Sequence, residues 1–112
     1  QQQRKMNLSN AVEQLRRSKW NHGPDMKKAR SWCTAVIKDN RLVVLGGTDE
    51  NGNCLLSAEK LSATDNSFKG FWRMQKKRKG FAATSDENGI YVVGGYKQKS
   101  AERFLLRERR WT

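Results

Sequence analysis

A chain with one histidine, His22, and two cysteines, Cys33 and Cys54, has little with which to hold a metal or drive nucleophilic catalysis. A four-ligand zinc site needs more Cys and His than this, and no Cys-x-x-Cys spacing occurs. Both thiols are expected to stay reduced, one in a strand and one in a loop. Three glutamates recur in similar settings: Glu13, Glu59 and Glu102. They read as acceptors for backbone N–H groups or arginines, not as an acid/base pair. No metal, no cofactor and no enzymatic activity are expected. What remains is charge. Lys and Arg number 23 against 11 Asp and Glu, a formal net charge of +12. That excess points to an acidic protein segment or a nucleic acid as partner. No reading helix, ribonucleoprotein motif or zinc finger supports sequence-specific binding of nucleic acid.

The elements that must carry these charges fit in 112 residues, of which 36% are apolar, enough for one small domain. No apolar run approaches the roughly 20 residues that span a bilayer, so no membrane association is expected. The first residues, Gln1 to Met6, lack the apolar core of a secretory signal. A cytoplasmic location is expected, with the nucleus as an alternative. The Asn7-Leu8-Ser9 sequon matters only in a secreted protein.

The chain repeats itself at a spacing of 48 residues. Met26 to Arg30 aligns with Met74 to Arg78, and Leu42 to Gly47 aligns with Ile90 to Gly95. After a loop of variable length, Ser57-Ala58-Glu59-Lys60-Leu61 aligns with Ser100-Ala101-Glu102-Arg103-Phe104. Each unit then reaches a tryptophan, Trp72 or Trp111. A further copy of this late element, Ala11 to Leu15 followed by Trp20, precedes the first unit. The units divide the chain into a leading segment at 1–21, a first repeat at 22–72 and a second at 73–112.

Each repeat contains four short strand signals. In the first they are 30–37, 42–45, 58–63 and the surroundings of Trp72. In the second they are 80–84, 90–93, 101–106 and 109–112. The glycine pairs Gly46-Gly47 and Gly94-Gly95 end apolar runs, as a strand does when its chain must turn sharply. Small residues such as Ala35, Ala82 and Ala83 suit an inner strand near a crowded axis. Trp72 and Trp111 offer area for packing one sheet on the next.

An arginine before the first strand, an apolar strand ending in Gly-Gly, then a glutamate and a tryptophan: this pattern resembles the Kelch repeat. The resemblance spans residues 9–112. It implies an all-β fold of β-propeller blades, each of four antiparallel strands, here two blades plus one strand. The family's tyrosine after Glu-x is replaced by Leu15, Leu61 and Phe104. Two blades leave sheet faces uncovered. The chain is therefore expected to be part of a longer protein or to complete a propeller by self-association. Arg30, Gly46, Gly47, Glu59, Trp72, Gly94, Gly95, Glu102 and Trp111 take the structural positions of the motif.

Strand order also sorts the charges. In an antiparallel blade, the loop between the second and third strands shares one face with the linker between blades. On that face ten Lys and Arg stand against three Asp and Glu, whereas the opposite face carries six against five. The resemblance places a peptide-binding site on the basic face. Its candidate residues are Ser31, Trp32, Thr48, Arg78, Lys79, Tyr96 and Lys97, with Asp49 and Gly80 beside them. Arg78 is expected to offer a charge fork to a carboxylate, the alternative being that Arg30 and Arg78 pair structurally within or between blades. The resemblance further implies an interaction module similar to the substrate-recognition parts of cullin ubiquitin-ligase adaptors. An actin-binding Kelch protein or non-specific nucleic-acid binding is the alternative.

Overall fold

The computed structural model describes residues 25–62, 64 and 66–112. The strand expected at 9–20 and His22 lie outside the described residues. Eight strands form two sheets. The first contains β1 (Thr34–Lys38), β2 (Arg41–Leu45), β3 (Ala58–Leu61) and β4 (Phe68–Phe71). The second contains β5 (Ala82–Asp86), β6 (Gly89–Val93), β7 (Ala101–Leu105) and β8 (Arg110–Trp111). Each sheet pairs its strands antiparallel and in sequence order. Among the described residues there is no helix long and apolar enough to cross a membrane.

Local sequence explains the turns. Asp39 and Asn40 both adopt left-handed φ values, 53° and 64°, and close the β1–β2 hairpin in two residues. Asn and Asp tolerate this region, and such turns match the twist of the strands they join. In the second sheet, the Asp86 carboxylate accepts from the N–H groups of Asn88 and Gly89. Those bonds hold the Asp86 carboxyl below its ordinary pKa, the Asn88 N–H contributing most. Tyr91 donates its hydroxyl to the same carboxylate at 3.0 Å. Partial burial, and then this bond, raise the phenol's pKa.

The alternation of β2 buries both of its faces. Val43 and Leu45 point towards the second sheet, where they meet Ile90, Val92, Phe104 and Trp111 in one cluster with Val36, Ala58 and Met74. Val44 points the other way and joins Leu61 and Phe68, with Met26, Cys33 and Leu42 against them. Hydroxyls stitch the innermost strands together. Thr34 Oγ1 donates to the Phe81 carbonyl at 2.7 Å, and Ser85 Oγ donates to the Ile37 carbonyl at 2.6 Å. The far face of the second sheet is open. It presents a groove of about 540 Å³ lined by Ala82, Tyr91, Val93 and Ala101 among others, and Val93 is 54% exposed.

Pairing register corrects one sequence equivalence. Trp111 sits opposite Phe104 just as Phe68 sits opposite Leu61. Trp111 is therefore the counterpart of Phe68, and Trp72 lies beyond the end of β4. The two loops that precede these strands differ in length, which shifted the tryptophans into apparent alignment. Both indoles still pack at the junction of the sheets. Trp72 lies 5.4 Å from the Phe104 ring, and Trp111 Nε1 donates to the Trp72 carbonyl at 2.8 Å.

Candidate functional site

Each arginine that precedes a first strand turns inward. The Arg78 side chain is wholly buried, and its guanidinium donates to the carbonyls of Gly94 and Ser100, both at 2.8 Å, and to Ser100 Oγ. Its ion pair with Glu102 closes at 3.1 Å. Glu102 also accepts from the backbone N–H groups of Gln75 and Lys76. Arg30 repeats the arrangement with Gly46, Ser57 and Glu59, and Glu59 accepts from Lys27 and Lys28. Every guanidinium nitrogen and carboxylate oxygen in the two boxes has a partner, the condition under which a buried ion pair is tolerated.

This corrects the expectation that Arg78 faces a partner. No part of its guanidinium is left for a carboxylate from outside. Ser57 and Ser100 were missed as functional parts of the box. Their signal was present, since both stand two residues before the repeated glutamate.

The glycine pairs seat these boxes. Gly46, Gly47, Gly94 and Gly95 all have positive φ. At Gly46 space is also required: a methyl group there would sit 2.5 Å from the Arg78 carbonyl oxygen. At Gly94 the nearest atom would be 3.9 Å away, so only the dihedral favours glycine.

The remaining face is built by loops that hydrogen-bond to one another. Ser31 and Thr48 exchange backbone bonds of 3.0 and 2.7 Å, and their hydroxyls meet at 2.9 Å. Gly80 N–H donates to the Trp32 carbonyl, and Tyr96 N–H donates to the Lys79 carbonyl, both at 2.9 Å. These bonds gather Trp32, Lys79, Tyr96 and Lys97 from both repeats. The Lys79 ammonium lies 5.5 Å from the centre of the Trp32 ring and 4.8 Å from that of Tyr96. Lys97 Nζ is 5.4 Å from the Tyr96 centre. Rings and ammonium groups thus alternate across the surface, each contact favourable through the ring quadrupole. Among the described residues neither ammonium has a carboxylate partner. Lys27, Lys28, Lys76, Lys77 and Lys99 lie in the same linkers and loops and are exposed.

Trp32 and Gly80 occupy the same place in the two repeats, and both have φ of 60°. For glycine this costs nothing; for a bulky side chain it costs about 1–3 kcal/mol. Asp49, next to Thr48, is engaged locally. Its carboxylate accepts from the N–H groups of Asn53 and Asn51, and the Asn53 bond does most to lower its pKa. Among the described residues no group of three His, Cys, Asp or Glu side chains could hold a metal ion.

Repeated four-stranded blades, an Arg–Glu box in each and a face made of inter-strand loops define a pair of propeller blades. No protein-family model matches the chain. It is 35% identical to beta-scruin of Limulus polyphemus over 89 residues, covering 77% of this chain and 10% of that protein. It is 30% identical to alpha-scruin of the same species over 76 residues, covering 68% of the chain and 8% of the relative. Kelch-like protein 40 of Homo sapiens is 32% identical over 71 residues, covering 63% and 11%. The chain belongs to the Kelch-repeat family. It spans about a tenth of the length of these relatives.

Proposed function

We propose that this chain is a protein-interaction module that captures an acidic segment of a partner on its loop face. The observation that carries this reading is the pair Lys79 and Lys97. Both ammonium groups are fixed against aromatic rings and lack a carboxylate among the described residues. Fixing them beforehand reduces the ordering cost of binding, and surrounding lysines steer an anionic partner towards them. Ser31 and Thr48 flank the cluster, their hydroxyls bonded to each other. A place in the substrate-recognition part of a cullin ubiquitin-ligase adaptor, in the cytoplasm, is the finer form of the proposal and rests on the family alone. Self-association to complete a propeller belongs to the same proposal.

The test is a salt titration of binding to an acidic peptide beside single-stranded DNA, with actin co-sedimentation as a third arm. Saturable peptide binding that is lost in the Lys79→Glu/Lys97→Glu variant, with its thermal stability kept, supports the reading. Retention of peptide affinity in that variant overturns the site. Tighter and equally salt-sensitive binding to DNA moves the assignment to nucleic acid. Co-sedimentation without peptide binding moves it to actin.

A further inference from the structure

The strained tryptophan at the edge of the cation cluster carries a more specific reading, which rests on the proposed capture of an acidic segment. We infer that the captured segment bears an aromatic ring close to its carboxylates, and that Trp32 is the seat for that ring.

The second repeat shows what this position needs for folding alone: Gly80, with the same φ of 60° and no strain. At the first repeat a tryptophan is held there instead. Burial does not compensate, because Trp32 remains 64% exposed. The surroundings are nevertheless arranged to hold the ring in place. The Ser31–Thr48 bridge fixes the chain before it, and Gly80 N–H fixes its carbonyl. Gly80 lies against the indole, where an added methyl group would make an ordinary van der Waals contact of 3.5 Å with ring carbon Cε3. A strained backbone conformation kept by its surroundings, with its side chain in water, is the pattern of a residue retained for contact. Tryptophan and tyrosine are also the residues that most often anchor interfaces.

The two aromatic rings do different things. Tyr96 has an ammonium near it from both Lys79 and Lys97, so its ring is engaged in holding cations. Trp32 has one ammonium near it and is the more exposed ring. An incoming flat ring therefore stacks on Trp32, and its neighbouring carboxylate meets Lys79. The separation suits an extended peptide. Side chains two residues apart on one side of a strand are about 6.6–6.8 Å apart, comparable with the 5.5 Å from the indole centre to the Lys79 ammonium. A cationic side chain is disfavoured on Trp32 by the lysines around it.

The probe is a short glutamate-rich peptide with one phenylalanine two residues from a glutamate, compared with the same peptide carrying alanine there. Calorimetry on the 112-residue chain is expected to find the phenylalanine peptide roughly threefold to tenfold tighter, the range of a single aromatic pair. Trp32→Gly is expected to abolish that difference, weakening the phenylalanine peptide more than the alanine peptide, and to leave the melting temperature equal or higher. Equal affinities for the two peptides, with both bound, overturn the inference and leave the acidic-segment reading intact. A fall in melting temperature for Trp32→Gly overturns it too, because the ring would then serve packing. Failure to bind either peptide overturns the underlying reading and this inference with it.

Discussion

Leu45 and Val93 occupy the same place in the two repeats and meet opposite fates. Leu45 has no exposed surface, whereas Val93 is 54% exposed. Val43 and Tyr91 differ in the same direction, one buried and one half-buried. The strands are alike in length and pairing. What differs is the neighbour: the first sheet is covered on that side by Ile90, Val92, Phe104 and Trp111, and the corresponding face of the second sheet is a groove. The Arg–Glu boxes, by contrast, are alike in both repeats. Stabilisation therefore comes in two kinds: one made within each blade and present twice, and one made between blades and present once among the described residues.

Mutations separate the two kinds. The largest effect is expected from Arg78→Ala, which leaves Glu102 buried without its counter-charge, at about 3–5 kcal/mol. Arg30→Ala is expected to fall in the same range, and urea denaturation of the two variants measures whether the boxes are truly equivalent. Leu45→Ala comes next, at about 2–5 kcal/mol for a buried leucine. Val93→Ala is expected to stay within about 0.5 kcal/mol, as surface substitutions do. Equal losses at the two sites would erase the contrast between covered and open faces.

Gly94→Ala is expected to cost about 1–2 kcal/mol, the dihedral penalty alone. Gly46→Ala is expected to cost more, because its methyl group also meets the Arg78 carbonyl. Thermal melts of the pair test whether steric crowding distinguishes two otherwise matching turns. The smallest effect concerns pH. The folded-state pKa of Asp86 lies below its ordinary 3.8. Its contribution to stability is thus present above that value and fades as pH falls through the folded-state pKa. Asp86→Asn is expected to flatten the urea midpoint between about pH 5 and 2, and an unchanged slope would remove the turn carboxylate from the account.

Much of this was legible in the sequence. The apolar runs ending in Gly-Gly located β2 and β6, and the repeated glutamates marked the centres of the boxes. Residues 30–33 read as strand but are not. Arg30 is drawn into its box and Trp32 takes a left-handed turn, so β1 begins only at Thr34. The second repeat's first strand likewise starts two residues late, at Ala82. Arg78 read as a surface fork because composition does not reveal whether a linker charge faces in or out. Its match to Arg30, with a matching Glu in each repeat, was the available clue. The resemblance put Trp32, Lys79 and Tyr96 on one face, but the ring–ammonium contacts of Lys79 were illegible, because tertiary hydrogen bonds join those loops across the two repeats.

The linker between the sheets belongs to both. Its backbone bonds backward, Met74 N–H to Leu56, Arg78 N–H to Leu55, and Gly47 N–H to the Arg78 carbonyl. Its arginine side chain bonds forward, to Gly94, Ser100 and Glu102. Loosening either unit therefore frays the segment that completes the other. The pair should melt as a single cooperative transition, and calorimetric and van't Hoff enthalpies should agree.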